Sequence, residues 1–267
     1  MNRLAVTLIT KNEERNLPRV LASVKDLADE LVVADSGSAD RTAQIAAANG
    51  ARVFARAWSG FADQRNFAGD QCTCEWVLAL DADEELSPEL CASLRKWKQA
   101  PAEFDAYEFA RCASYLGRWI RHSGWYPDRK TRLYRRGSGQ FAGATHDAFR
   151  AAGTVGRLHG DLLHHAFATR QGHEATVESY STAAAAELFA NGRRRWRAAL
   201  LIAPPWTFLR KILVQGAPLD GWRGWLIARM SCRYTWLKYR KLGALVQAER
   251  TSGAAGKTDT RAGDVRP

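Results

Sequence analysis

The sequence predicts an α/β fold, with a mostly parallel sheet flanked by helices in its first hundred residues. Short, continuous apolar runs recur there, as in strands that are buried on both faces of a sheet. Helical segments separate consecutive runs, which is the pattern of β-α-β units. The chain has 267 residues, of which 46% are hydrophobic, so it contains enough apolar material for a sizeable core.

Strands and helices are predicted to alternate from the start of the chain. The apolar run 4–9 forms the first strand, and the first helix is expected around residues 17–27. Ser87 and Pro88 supply an N-cap and a first helical residue for a helix that runs to Lys98. Between these lie strands at 30–35, 52–55 and 76–81 and helices at 41–49 and 61–69.

Polar residues close three of these strands: the turn 10–13, Asp35, and Asp81-Ala82-Asp83. Right-handed crossovers bring the carboxyl ends of parallel strands to one edge of the sheet, where such sheets bind ligands. Two carboxylates separated by one residue can reach one divalent cation, and Mg²⁺ and Mn²⁺ prefer oxygen ligands. The alternative is a solvated acidic turn before a helix. The convergence of three polar strand ends favours a ligand site.

Several other classes of protein are disfavoured. A dinucleotide dehydrogenase and a P-loop NTPase are not expected, because their glycine-rich motifs are absent from the sequence. The five cysteines lack paired zinc spacing and are expected to be reduced thiols in a cytosolic protein. No signal peptide is expected, since the first apolar run leads directly into a charged turn. A membrane-spanning helix is not predicted, because it needs about 18 consecutive apolar residues.

Charge is distributed unevenly along the chain, whose formal net charge is +11. Residues 1–100 hold 12 basic and 15 acidic side chains, whereas residues 193–250 hold 13 basic and 2 acidic ones together with five of the ten tryptophans. The basic region therefore suggests a partner that carries phosphates.

Within this region, three arginines are predicted to lie on one stripe of a helix, with aromatic residues alongside. Tryptophan and tyrosine beside cations fit a membrane interface, where the rings lie at headgroup level and the cations meet lipid phosphates. A helical subdomain packed on the catalytic body and a site for single-stranded nucleic acid are the alternatives. The stripe consists of Arg229, Arg233 and Arg240, with Trp225, Cys232, Trp236 and Tyr239 beside them.

Four motifs together resemble glycosyltransferase family 2. The segment 116–128 and Thr145-His146-Asp147 further resemble the bacterial branch of that family which adds glucose to the inner core of lipopolysaccharide. The resemblance implies a GT-A fold with a Rossmann-like sheet, a UDP-sugar donor, a divalent metal (Mg²⁺ or Mn²⁺) and inversion at the anomeric carbon. The four motifs are Thr10-Lys11-Asn12-Glu13-Glu14, Asp35-Ser36-Gly37-Ser38-Ala39-Asp40, Gln64-Arg65-Asn66 and Leu80-Asp81-Ala82-Asp83-Glu84.

The resemblance also implies roles for individual residues in donor binding. A carboxylate can accept a hydrogen bond from the uracil N–H, and a guanidinium group matches carbonyl or phosphate oxygens in a fork. His164 is implied as a further ligand to the metal or the diphosphate, and the sequence does not separate it from His165. Thr10, Asn12 and Glu13 would hold the nucleoside, Asp35 would face the uracil, Arg65 would clamp the nucleotide, Asp81 would contact the ribose and Asp83 would bind the metal.

An inverting transfer needs a carboxylate beside the acceptor hydroxyl, to take its proton as the oxygen attacks the sugar carbon. The resemblance implies that Asp147 is this general base, although the branch commonly has Glu at that position. Asp128 is the competing carboxylate. Trp125 and Tyr126 are expected, with Asp128, in the loop that binds the acceptor, because aromatic side chains can stack on sugars.

The predicted protein has three parts. Residues 1–192 form the GT-A catalytic domain, with a nucleotide-sugar-binding half 1–100 and an acceptor-binding half 101–192. Residues 193–250 form a basic, Trp-rich helical extension. Residues 251–267 form a disordered tail, because they are rich in Gly, Ala, Thr and charge.

These observations predict a cytoplasmic, metal-dependent, inverting glycosyltransferase that is peripherally associated with the inner membrane. It would transfer a hexose, expected to be glucose from UDP-glucose, to an inner-core heptose of lipopolysaccharide or a related anionic glycolipid. A single-stranded nucleic-acid-binding protein and a non-catalytic nucleotide-sugar-binding module are the alternatives. The complete set of carboxylates argues against the module. No nucleic-acid partner is expected, because the strand-end carboxylates would repel its phosphates.

Overall fold

The computed structural model describes residues 1–143 and 147–258 of the chain. The chain forms two compact units. The first contains residues 1–114 and 125–166, and the second contains residues 115–124 and those from 167 onward. Two residues of a predicted motif, Thr145 and His146, lie outside the described residues, as do residues 259–267 of the predicted tail.

Every strand and helix predicted in the first hundred residues is present, with its ends shifted by at most a few positions. A short additional strand, Glu84–Leu86, follows the Asp81-Ala82-Asp83 turn. The described elements are β1 (Leu4–Thr10), α1 (Leu17–Val24), β2 (Glu30–Asp35), α2 (Thr42–Ala48), β3 (Arg52–Ala55), α3 (Phe61–Asp70), β4 (Trp76–Asp81), β5 (Glu84–Leu86), α4 (Pro88–Gln99), β6 (Ala106–Tyr115), β7 (Arg118–Trp119), β8 (Asp128–Arg135), β9 (Gly139–Ala142), β10 (Ala148–Ala151), β11 (Val155–Phe167), α5 (Arg170–Ala190), α6 (Arg197–Leu213), a 3₁₀ turn (Ala217–Asp220) and α7 (Trp222–Thr258).

The main sheet is parallel in its first half and mixed in its second. Its strands lie in the order β3-β2-β1-β4-β8-β6-β11-β5. The first four are parallel, whereas β8 is antiparallel to β4 and to β6, and β5 is antiparallel to β11. A separate hairpin is formed by β9 and β10. The α/β class predicted from the sequence is thereby confirmed.

Alternate residues of the parallel strands contribute to two apolar cores, one on each face of the sheet. Leu4 and Leu8 of β1 belong to the core that includes Leu90 of α4. Ala5 of β1 belongs to the core that includes Tyr134 of β8. Successive side chains of a strand point to opposite faces, so the burial of all seven β1 residues requires cover on both sides. Burial of both faces of β1 explains why its sequence is a continuous apolar run and does not alternate between apolar and polar residues.

The second unit joins the segment 115–124 to the C-terminal helices. The buried carboxylate of Asp220 accepts hydrogen bonds from the backbone N–H groups of Arg121 and His122, each at 3.2 Å. It also accepts a 2.6 Å hydrogen bond from Ser123 Oγ. These contacts explain why the segment belongs to this unit although it lies between β6 and β8 in the sequence.

The two compact units are divided differently from the predicted boundary at residue 192, because α5 belongs to the second unit. Val177 of α5 packs in one apolar cluster with Met230 and Leu237 of α7. The predicted boundary relied on the change in charge, which occurs after α5. The apolar contacts that define the second unit begin before that change.

The last helix, α7, continues through Thr258, so the described part of the predicted tail 251–267 is helical. A helix that is already nucleated extends at little cost, which explains the difference from the predicted disorder. Within the described ranges, no helix combines the length and the apolar character needed to cross a membrane. None of the five cysteines forms a disulfide bond.

Candidate active site

The carboxyl ends of β1, β2 and β4 lie side by side at one edge of the sheet. In the parallel pairs, Thr10 is aligned with Asp35 and Ile9 with Asp81. Thr10 Oγ1 donates a 2.8 Å hydrogen bond to Asp35 Oδ1, which joins the first two strand ends directly. The predicted convergence of the three polar strand ends is therefore confirmed.

The Asp35 carboxylate organises the turn after β2. Its Oδ2 accepts hydrogen bonds from the backbone N–H groups of Gly37 (3.1 Å) and Ser38 (2.8 Å). Its Oδ1 accepts from Ser38 Oγ at 2.6 Å, in addition to Thr10. Asp35 is buried, and these donors match the roughly four lone-pair sites of a carboxylate. A contact of Asp35 with uracil stays a prediction, and the role that the structure shows is to fix the turn.

Asn12 connects the loop after β1 to the loop after β2. Its backbone has a φ of 58°, a left-handed conformation that asparagine tolerates better than most residues. In this conformation its N–H donates to Ser38 Oγ at 2.8 Å, and its Oδ1 accepts from the N–H of Ala39 at 2.8 Å. The first two family motifs therefore form one hydrogen-bonded structure.

Glu13 lies close to the carboxylates that follow β4. Its Oε2 accepts a 2.8 Å hydrogen bond from Asn16 Nδ2. Burial raises the pKa of Glu13, and the negative charges of Asp83, Asp40 and Asp81 raise it further, whereas the hydrogen bond from Asn16 lowers it. The overall pKa of Glu13 lies above its ordinary value, so the end of β1 and the end of β4 share one electrostatic environment.

Arg65 of α3 joins two carboxylates of the predicted site. Its side chain is only 3% exposed. Its Nη2 lies 2.5 Å from Asp81 Oδ1, and its Nη1 forms an ion pair with Asp147 Oδ2. The structure thus brings together the predicted nucleotide clamp, the predicted ribose contact and the predicted general base.

The two neighbours of Arg65 fix its helix to the surrounding loops. Gln64 Nε2 donates a 2.8 Å hydrogen bond to Ser36 Oγ in the turn after β2. Asn66 Nδ2 donates to the backbone oxygen of Phe141 at 2.9 Å, and Asn66 Oδ1 accepts from the N–H of Phe141 at 2.8 Å. Since Phe141 belongs to β9, Asn66 attaches the hairpin beside Asp147 to the helix that carries Arg65.

Seven charged side chains form an ion-pair chain in which acids and bases alternate. Arg132 Nη2 lies 3.1 Å from Asp81 Oδ2 and 3.5 Å from Glu84 Oε1. Glu84 Oε1 also accepts from Arg111 Nη1 at 3.3 Å, and Glu84 Oε2 accepts from the N–H of Asp81 at 3.0 Å. In order, the members are Asp147, Arg65, Asp81, Arg132, Glu84, Arg111 and Asp128.

The ion-pair chain ends in the two carboxylates that the sequence offers as general base. Asp128 Oδ2 accepts from Arg111 Nε at 3.0 Å and from Arg111 Nη2 at 2.7 Å, and Asp128 Oδ1 lies 3.1 Å from Lys130 Nζ. Asp128 is therefore held by two cations. Among the described residues, the ion pair of Asp147 is with Arg65.

Charge attraction outweighs burial within the ion-pair chain. Burial raises the pKa of Asp81, but the charges of Arg132 and Arg65 lower it to about 2 overall. Burial lowers the pKa of Arg132, but the charges of Glu84, Asp81 and Asp147 raise it above its ordinary value. Asp81 and Arg132 therefore stay ionised at physiological pH.

The two histidines that the sequence does not distinguish, His164 and His165, have different partners in the structure. His164 Nε2 lies 3.2 Å from Asp83 Oδ2, whereas His165 Nε2 lies 2.9 Å from Glu85 Oε1. The antiparallel pairing of β11 with β5, which aligns His164 with Glu84, sets this arrangement, because neighbouring residues of a strand point to opposite faces. Burial lowers the pKa of His164, but the hydrogen bond to Asp83 and its charge raise it above the ordinary value overall.

Asp83 and His164 fit a divalent cation. They offer one carboxylate and one imidazole at hydrogen-bonding distance from each other, and Asp83 lies outside the arginine-rich ion-pair chain. The described residues contain no group of three or more His, Cys, Asp or Glu side chains arranged to hold a metal. Mg²⁺ and Mn²⁺ commonly use one or two protein groups together with substrate phosphates, so two ligands suffice for a cation that binds with its nucleotide.

Trp125 and Tyr126, predicted for the acceptor loop, begin the second segment of the first unit. Tyr126 Oη donates a 3.0 Å hydrogen bond to Asp161 Oδ1. The N–H of Asp161 donates in turn to Ser87 Oγ, the N-cap of α4. Both aromatic side chains are half-buried. Tyr126 is thus held in place by contacts within the first unit, and acceptor binding by these residues stays a prediction.

Arg111, Arg132 and Glu84 belong to the ion-pair chain, but sequence reasoning assigns them no role. Arg132 is followed directly by the buried residues Leu133 and Tyr134 in β8. A cation inside a buried strand rarely occurs without an anionic partner. That pattern is the signal by which Arg132 could have been found, whereas its partners become evident only from the pairing of the strands.

Comparison with known proteins identifies the family. The model of glycosyl transferase family 2 matches residues 5–152, and the chain belongs to this family. It is 30% identical over 247 residues to the lipopolysaccharide core biosynthesis glycosyltransferase LpsC of Rhizobium meliloti, covering 90% of this chain and 91% of LpsC. It is 28% identical over 254 residues to an uncharacterized glycosyltransferase of Rickettsia prowazekii, covering 91% and 87% of the two chains. A crystal structure of S. aureus TarS 1–349 with UDP-GlcNAc is 14% identical, has a TM-score of 0.47 and covers 94% and 92%.

Proposed function

We propose that this chain is a metal-dependent, inverting hexosyltransferase. It moves glucose from UDP-glucose to an inner-core heptose of lipopolysaccharide or to a related anionic glycolipid. The observation that carries this proposal is the position of Arg65 between Asp81 and Asp147, which unites the donor side and the acceptor side of the site. The similarity to LpsC over nine tenths of the chain supports the choice of acceptor.

The donor is proposed to bind across the ends of β1, β2 and β4. Asn12 and Glu13 would contact the nucleoside, and Asp81 would accept a hydrogen bond from the ribose. Thr10 and Asp35 hold the loops in the shape that this binding needs, because their hydrogen bonds connect the two strand ends and the turn after β2.

Asp83 and His164 are proposed to hold Mg²⁺ or Mn²⁺ at the donor diphosphate. Such a cation offsets the negative charge that develops on the departing UDP. Asp83 would contribute a charged oxygen and His164 a neutral nitrogen. His165 has a separate place beside Glu85 and takes no part in this proposal.

Asp147 is proposed as the general base. The acceptor hydroxyl oxygen attacks the anomeric carbon, the bond from that carbon to the UDP oxygen breaks with its electron pair leaving on UDP, and the hydroxyl proton passes to the Asp147 carboxylate. Because Arg65 pairs with Asp147, the donor diphosphate would compete with this carboxylate for the guanidinium group. Asp128 is the weaker candidate, since it would have to leave both Arg111 and Lys130.

The chain is further proposed to work at the cytoplasmic surface of the inner membrane, where a glycolipid acceptor would be anchored. The tryptophans of the predicted α7 stripe, Trp225 and Trp236, are 49% and 40% exposed. The three arginines of the stripe are exposed as well, and the guanidinium carbon of Arg240 lies 4.8 Å from the ring centroid of Trp236. Exposed aromatic rings beside cations suit lipid headgroups.

A donor screen with the purified full chain tests the proposed function. UDP-glucose, UDP-galactose, UDP-GlcNAc and GDP-mannose are each incubated with extracted lipopolysaccharide cores, and both UDP or GDP release and the mass of the core are measured. The expected result is one added hexose from UDP-glucose, of inverted anomeric configuration, with activity abolished by EDTA. Absence of transfer from all four donors, together with tight binding of single-stranded oligonucleotides, would overturn the proposal.

A further inference from the structure

Helix α6 has two adjoining apolar faces, and one of these faces is packed. Pro204 is buried there, and Thr207 Oγ1 lies 3.3 Å from Thr235 Oγ1 of α7. The ring centroids of Phe208 and Trp225 are 6.2 Å apart. A helix that is apolar on all sides is normally buried on all sides, but the second face of α6 is exposed.

The second face carries five large apolar side chains that are between 48% and 76% exposed. Each residue of an α-helix advances by about 100°, so the five side chains lie within an arc of about 140°. Soluble monomers rarely expose a contiguous apolar surface that has no partner. The members of this α6 apolar face are Leu201, Ile202, Trp206, Leu209 and Leu213.

Exposed cations border the α6 apolar face on both sides. On the same helical projection, Arg197 lies about 40° beyond Leu201, and Arg210 lies about 40° beyond Trp206 at the other edge. The stretch 193–215 contains six basic residues and no acidic one. The surface is therefore apolar in its middle and cationic at its edges.

We propose that the α6 apolar face inserts into the interfacial layer of an anionic lipid membrane. Its apolar side chains would leave water for the acyl boundary, while Arg197 and Arg210 would stay at the phosphates of the headgroups. A second copy of the chain fits less well, because it would bring the same cations together without any carboxylate on α6 to pair with them. The inference rests on the proposed membrane-borne acceptor, and it adds α6 to the α7 residues that are proposed to face that surface.

Vesicle binding by the full chain tests this inference without donor or acceptor. Flotation with vesicles of phosphatidylglycerol and phosphatidylcholine is compared for the wild type, for L201Q/L209Q/L213Q and for R197Q/R210Q. The triple variant is expected to bind at least about tenfold more weakly, since each leucine loses apolar burial in the membrane. The arginine variant is expected to bind anionic vesicles more weakly and to show a weaker dependence on salt, because it lacks two of the cations near the lipid phosphates.

The matched control is V155Q/Y180Q, which replaces two exposed apolar residues outside α6 and is expected to bind as the wild type does. Transfer to a water-soluble core oligosaccharide is measured in parallel and should be unchanged in L201Q/L209Q/L213Q, so failure of the proposed function and failure of this inference give different results. Single L213Q, which replaces one side chain that is 76% exposed, guards against misfolding of the triple variant. Equal vesicle binding by all variants overturns the inference. A wild-type chain that is dimeric without lipid, together with a triple variant that is monomeric, also overturns it.

Discussion

Arg65 and Asp147 lie 82 positions apart in the sequence and form a direct ion pair. The pair links a helix that follows β3 to the start of the hairpin strand β10. If Asp147 is the base, as proposed, its carboxylate would become available once Arg65 bound another anion. The donor diphosphate would be such an anion, so donor binding and activation of the base would be coupled.

Asp147→Asn should therefore abolish transfer and leave donor binding largely intact. Loss of a general base lowers the rate by about a hundredfold to ten-thousandfold. The measurement is kcat for hexose transfer together with the Kd of UDP in the presence of Mn²⁺. Asp128→Asn is the matched comparison and should retain more activity. The assignment is reversed if Asp128→Asn loses transfer while Asp147→Asn keeps it.

His164→Ala should weaken metal-dependent UDP binding, whereas His165→Ala should not. The two residues are neighbours in sequence, but the His164 side chain pairs with the Asp83 carboxylate and the His165 side chain with the Glu85 carboxylate. Loss of a metal ligand should lower the Mn²⁺-dependent affinity for UDP by about tenfold or more, because even groups outside the ligand set commonly have that effect. Titration calorimetry with and without Mn²⁺ measures the difference, and Asp83→Ala gives the reference for complete loss. Equal affinities of the two histidine variants would contradict the proposed ligand.

Arg132→Leu should destabilise the fold by about 3–5 kcal/mol, because it removes the cation shared by the buried carboxylate of Glu84 and the half-buried carboxylate of Asp81. Arg135→Leu removes an arginine from the same strand, where it pairs with the exposed Glu75. That change should cost no more than about 1 kcal/mol. Urea unfolding of both variants measures the free energies, and similar losses would show that the ion-pair chain has no special structural role.

The second unit should become less stable as the pH is lowered below about 6.5. Burial lowers the pKa of His173 to about 4, and its Nδ1 lies 2.9 Å from Tyr115 Oη. Since the folded pKa lies below the ordinary unfolded value, the stabilisation is complete above about pH 6.5 and is lost as the pH falls towards 4.

His173→Phe should flatten this pH dependence, because it removes the group whose protonation opposes folding. Urea midpoints between pH 4 and 7.5 provide the measurement. His159→Phe, a change at an exposed position, is the control and should keep the wild-type slope. An identical slope in His173→Phe would assign the acid sensitivity to another group.

The positions of the strand-end carboxylates could be predicted from the sequence, but the side chains that pair with them could not. Asp35, Asp81 and Asp83 could be placed at one sheet edge, because apolar runs mark parallel strands and parallel strands share the direction of their carboxyl ends. Arg132 could not be connected to Asp81, because the order in which β8 joins the sheet depends on contacts distant in sequence. The choice between His164 and His165 needed the register of β11 against β5, since a shift of one residue exchanges the faces of both.

The boundary of the second unit shows a related limit. Charge changes at residue 193, and this change is visible in the sequence. The contact of Val177 with Met230 and Leu237 is not visible there, because these apolar residues resemble those of any packed helix. Composition can therefore locate a surface property more reliably than it locates the edge of a packed unit.

The amide of Asn66 has a consequence for substitutions far from any substrate. By matching both backbone groups of Phe141, it sets the spacing between the α3 helix and the β9–β10 hairpin. Asn66→Asp would keep the oxygen that accepts from the Phe141 N–H and lose the N–H that donates to the Phe141 carbonyl. The hairpin could then shift relative to α3, although Arg65 and Asp147 would both remain. A protein altered in this way would retain every reactive group of the proposed site and yet turn over slowly, because the distance between those groups would no longer be fixed.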